Sequence, residues 1–166
     1  YRDLFESLPA TIFGETALFH DVVDGGALDL SRHEPDSVLN GEPALTIVQE
    51  RNPAIKVIGV EPLDSAYRKL VTDLPAGGEF SSAIEGVGKS CPSPVFDPAV
   101  VDDVVQVPDE EALAWIHRLA REEGILAGGS SACVAAGVAR LLPRLGQARI
   151  VTIFPDSGAF YLSKYF

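Results

Sequence analysis

Two short glycine-containing runs are where residue type and spacing in this 166-residue chain could do chemistry. Gly128-Gly129-Ser130-Ser131 stands where a strand is expected to pass into a helix, and the bare N–H groups of a helix start attract anions. The simpler reading is that small residues let strand and helix pack closely. Gly86-Val87-Gly88 could border a flat ligand ring or serve only as a turn, and the residues alone leave both open. Cys91 and Cys133 are far apart with no CxxC pairing, which suits two reduced thiols in a cytoplasmic protein better than a disulfide or a metal site. His20, His33 and His117 show no HxxxH spacing, so no metal centre is expected.

The elements that must position these residues are constrained first by composition. The length suits one domain, and 46% apolar with 22% charged residues is close to soluble globular norms. A net charge of −11 argues against binding to phosphate backbones or anionic membranes. No apolar run reaches membrane-spanning length, and the first residues lack a basic-then-apolar leader pattern. The chain contains no methionine, so Tyr1 is not expected to be the translated start.

From residue 55 onward, short apolar runs alternate with helical patterns. Residues 55–60 (IKVIGV) form a β-branched run stopped by Glu61-Pro62, which reads as a buried strand. Residues 104–107 read as a second strand. A helix then follows, with Asp109 as N-cap, Ala112, Leu113, Ile116, Leu119 and Ala120 on one face, and Gly124 as its stop. Glu110 and Glu111 suit the positive start of that helix; with Asp102 and Asp103 they read as a solvated acidic face. Residues 125–127 are expected to be a strand, 128–142 a small-residue helix, and 149–154 (RIVTIF) a last strand halted by Pro155. Earlier in the chain, a short strand is expected near 17–22, a loop over 24–41 and a helix over 43–50. This alternation predicts an α/β fold, a mostly parallel sheet with helices on both faces. Ligands of such sheets bind beyond the carboxyl ends of the strands, here at 128–131 and 155–158.

Three segments carry a family resemblance. Residues 55–62 (IKVIGVEP), 84–131 (from IEGVGK through VDDVVQVPDEEAL to LAGGSS) and 149–166 (RIVTIFPDSGAFYLSKYF) are similar, in that order, to segments of fold-type II pyridoxal-phosphate (PLP) enzymes of the cysteine synthase and cystathionine β-synthase kind. Residues 11–19 (TIFGETALF) resemble that family's opening pattern. Residues 35–44 (PDSVLNGEPA) align without a gap on its PGGSVKDRPA, which places Asn40 where the family has the lysine that holds PLP as a Schiff base. The chain then runs from PALTIVQE directly into RNPAIKVIGV, where family members carry a small domain, a substrate-carboxylate loop and a glycine-rich phosphate loop.

The resemblance thus implies a single α/β domain over 1–166, with 1–50 a remnant of the family's opening segment and 51–166 its large-domain core. Ser157 matches the serine that meets the cofactor's pyridine nitrogen; with Gly86 and Gly88 it is the vestigial cofactor-binding set. No catalytic residue is expected, because an asparagine amide neither adds to an aldehyde nor takes a proton near neutral pH. Of the four lysines, Lys56, Lys69, Lys89 and Lys164, Lys89 alone stands next to a segment lining the family's active site. Its simpler role is that of a solvated turn lysine. The implied function is a non-catalytic cytoplasmic subunit with no cofactor by itself. Its partner would be a full-length PLP-dependent homologue, in a hetero-oligomer, unless the chain self-associates, and PLP would sit in that partner. The alternatives are an active PLP-dependent enzyme whose lysine-bearing part lies elsewhere, and a stand-alone small-molecule binding module.

Overall fold

The computed structural model describes residues 10–14, 52–72, 79–92, 96–145 and 148–166. The expected strand at 17–22, the loop at 24–41, the helix at 43–50 and Asn40 lie outside the described residues. Three parallel strands form the sheet in the order β1-β2-β3: β1 (Ala10–Gly14), β2 (Lys56–Pro62) and β3 (Asp103–Val107). Ala10 pairs with Lys56, and Ile58 with Asp103. Strand β2 is central, which explains its sequence. Hydrogen-bonded on both edges and covered on both faces, it buries Val57, Ile58, Val60, Glu61 and Pro62 in near-continuous order. The β1 strand was not anticipated; its five residues offer too short an apolar run to stand out.

Among the described residues the α-helices are α1 (Arg68–Val71), between β2 and β3, and then α2 (Asp109–Glu122), α3 (Gly129–Leu145) and α4 (Leu162–Tyr165). Helix α3 lies across all three strands and packs beside α2. Its first nine residues, 129–137, are buried all round, as a helix between a sheet and a second layer must be. Ile58, Val60 and Val107 meet Cys133, Val134, Ala136 and Leu141 there, with Ala112 of α2. Gly137 sets the closeness of this contact, because a methyl in its place would stand 2.6 Å from Val60 Cγ1. The other face of the sheet carries Glu61 and Gln106, and α1 docks beside them through Arg68 Nη1, 3.2 Å from Gln106 Oε1.

Several expectations need correction. Asp109 is the first residue of α2 and Pro108, with extended backbone, is its N-cap. The Asp109 carboxylate is used instead to accept from Ser82 Oγ at 2.8 Å and from the Ala83 N–H. Gly124 does stop the helix: its φ of 69° turns the chain so that the Ile125 N–H reaches the Leu119 carbonyl at 2.9 Å. Residues 125–127 form no strand but one antiparallel bridge, Ala127 to Ser157. Residues 149–154 form no ladder among the described residues. A β-branched run becomes a strand only on a pleated surface with one side covered, and all six positions here are exposed or half-buried, without alternation.

Candidate functional site

Three segments meet where α3 begins: the turn at 83–88, the 127–131 run and residues 156–165. Ile84 and Tyr165 both lie 3.2 Å from where a methyl on Gly129 would stand. The Gly128 N–H donates to the Asp156 carbonyl at 3.2 Å, and a methyl on Gly128 would overlap the Asp156 carboxylate. Gly128 and Gly129 are therefore required for close packing. The space in front of Gly128 is filled by this chain's own carboxylate, an anion at the positive end of a helix.

Asp156 is held from one side. Its Oδ2 accepts the Tyr161 hydroxyl at 2.6 Å, whereas Oδ1 is buried with no hydrogen-bond partner among the described residues. That hydrogen bond, followed by burial and the nearby negative charges, pushes the Tyr161 phenol up to about 12. Tyr161 is thus a neutral donor throughout the physiological range. Ser131 is wholly buried, and its hydroxyl also lacks a partner among the described residues.

Ser157 sits at the exposed edge of this cluster. Its hydroxyl accepts the Ala159 N–H at 3.2 Å, capping the 3₁₀ turn Gly158–Tyr161, and points its proton at the Leu126 carbonyl, 3.5 Å away. Gly86 and Gly88 are both in the left-handed region with φ of 79°. Gly86 is exposed, while Gly88 is packed: a methyl there would stand 2.6 Å from the Phe80 ring and 2.9 Å from Pro62. Lys89 is exposed at the end of the turn, with its backbone pinned by its N–H to Ser65 Oγ at 3.0 Å and by the Ala66 N–H to its carbonyl at 2.9 Å. Lys56 and Lys164 form ion pairs with Asp102 and Glu85. Tyr161 and Tyr165 stand out in the sequence as aromatics after residue 158, but nothing local says that their hydroxyls meet Asp156 and the glycine turn.

Among the described residues, the three segments that meet here offer a phosphate no unpaired cation. They carry two carboxylates, Glu85 and Asp156, and their one base, Lys164, is paired with Glu85. A phosphate needs open N–H donors or cations, and beside Gly128 stands the Asp156 carboxylate. Among the described residues, no group of three or more His, Cys, Asp or Glu side chains could hold a metal ion, and no helix is long and apolar enough to cross a membrane.

Comparison with known proteins gives a consistent answer. The family model described as pyridoxal-phosphate dependent enzyme matches residues 44–156. A cysteine synthase of Helicobacter pylori is 35% identical over 118 residues, covering 70% of this chain and 36% of that protein. The O-acetylserine dependent cystathionine beta-synthase of Bacillus subtilis is 32% identical over 120 residues, covering 72% and 37%. Among solved structures, the O-acetylserine dependent cystathionine beta-synthase from Helicobacter pylori superposes with a TM-score of 0.72 at 27% identity, over 98% of this chain and 45% of that one. The chain thus spans little more than a third of the length of these two curated relatives.

Proposed function

Because the chain belongs to the pyridoxal-phosphate-dependent enzyme family, we propose that it is a non-catalytic subunit of the cysteine synthase kind, pairing with a full-length PLP-dependent homologue in amino-acid metabolism. It is a single α/β domain built on the family's large-domain core, works in the cytoplasm, and leaves β-replacement chemistry to its partner. The observation that carries this reading is Asn40 at the aligned lysine position, where an amide can neither form a Schiff base nor take the proton. At the start of α3 the charged groups are Asp156, Glu85 and Lys164, and Lys164 is paired with Glu85.

Incubation with PLP followed by borohydride reduction is expected to leave the mass of the purified chain unchanged, with no stoichiometric adduct. One adduct per chain on Lys89 would defeat the proposal. It would favour the second reading, an active enzyme completed by another polypeptide, for which the exposure of Lys89 beside the glycine turn is the supporting feature.

A further inference from the structure

Residues 161–165 touch every segment of the site just described. The Tyr161 hydroxyl donates to Asp156, and its ring lies 5.4 Å from that of Tyr165. The buried Tyr165 donates its hydroxyl proton to the Ala83 carbonyl at 3.2 Å and accepts the Glu85 N–H at 3.4 Å, across about eighty residues of chain. Lys164 pairs with Glu85, and the hydrogen bond between them raises the Lys164 pKa. The two ends of the glycine turn are tied elsewhere, to Asp109 through Ser82 and Ala83 and to Ser65 and Ala66 through Lys89. Its middle, where Gly86 and Gly88 hold positive φ, is backed by the buried Ile84 and Val87 and is hydrogen-bonded to Tyr165.

We propose that Tyr165 and Lys164 form a latch that sets the conformation of the 83–88 turn, so that the turn and residues 161–165 open and close as one cooperative unit. Opening this unit would bare the side of Gly129 without disturbing the ladder between β2 and β3. Backbone left-handed at two glycines has little intrinsic preference for one shape, so a single external contact to its amides has leverage over it. The latch is a conformational device of this chain and does not depend on the function proposed above.

Hydrogen exchange on the whole chain tests it. In Tyr165→Phe, which keeps the ring and removes the hydroxyl, the amides of residues 84–88 are expected to exchange about five- to tenfold faster, with β2 and α2 unchanged. Unchanged exchange at 84–88 would mean that Ile84 and Val87 alone hold the turn, and the latch is refuted. Should Tyr165→Phe fold poorly, exchange of the unaltered chain in sub-denaturing urea decides the matter. A latch requires residues 84–88 and 161–165 to open with the same free energy and the same urea dependence. Opening of 161–165 while 84–88 stay protected refutes it.

Discussion

Replacing Glu61 by alanine is expected to remove about 3–5 kcal/mol of stability, read as a shift of the urea midpoint at unchanged slope. The carboxylate is 2% exposed and serves three donors: the Tyr67 N–H at 3.2 Å, the Arg68 N–H at 3.1 Å and Gln106 Nε2 at 2.9 Å. Alanine would leave these groups without their acceptor in a space too apolar for water to compensate fully. It would also loosen α1 from the sheet, leaving the Arg68 side chain on Gln106 as the remaining tie in this cluster. Glu61→Gln keeps one acceptor oxygen and should lose roughly half as much. A loss under about 1 kcal/mol for the alanine variant would show that the cluster is solvated and does not hold α1.

Gly137→Ala should be the second large effect. An exposed helix interior would gain about 1 kcal/mol from this change. Here the new methyl would stand 2.6 Å from Val60 Cγ1 and 2.7 Å from Cγ2, in a strand that cannot retreat because it is paired on both edges. Overpacking of this kind typically costs about 1–3 kcal/mol, so a net loss is expected and Gly137→Val should lose more. Val60→Ala in the Gly137→Ala background removes the obstructing atoms and should recover part of the loss, giving a coupling of roughly 1 kcal/mol or more in a double-mutant cycle. If Gly137→Ala stabilises the protein, helix and sheet are further apart than described.

The parts of the fold legible in the sequence were those whose signal is local. The β-branched run ending at Pro62 and the periodic face of Ala112, Ile116 and Leu119 identify β2 and α2 because burial and spacing coincide there. In the sequence Glu61 marks only the end of the apolar run. That it is a buried acceptor depends on Tyr67, Arg68 and Gln106, and Gln106 lies 45 residues away. The run at 149–154 shows the converse: its propensity is strong, but among the described residues it pairs with no neighbouring strand. In the site, the glycines at 86, 88 and 128 were recognisable as special. What fills the space beside Gly88 and Gly128, the Phe80 ring and the Asp156 carboxylate, was not. The aromatics over 161–166 could be read equally as core or as contact surface. Tyr165 is buried against the glycine turn while Phe166 is 48% exposed, so the segment divides between the two.

As a non-catalytic partner of a complete PLP-dependent homologue, this chain should never be found alone in its host. Purifying the tagged chain from that host under gentle conditions and measuring the native mass of what elutes should give a defined heteromer with a larger PLP-dependent protein, carrying the yellow absorbance of the cofactor on the larger chain. Recovery of the chain alone as a stable monomer, or of PLP bound stoichiometrically to this chain, would contradict it.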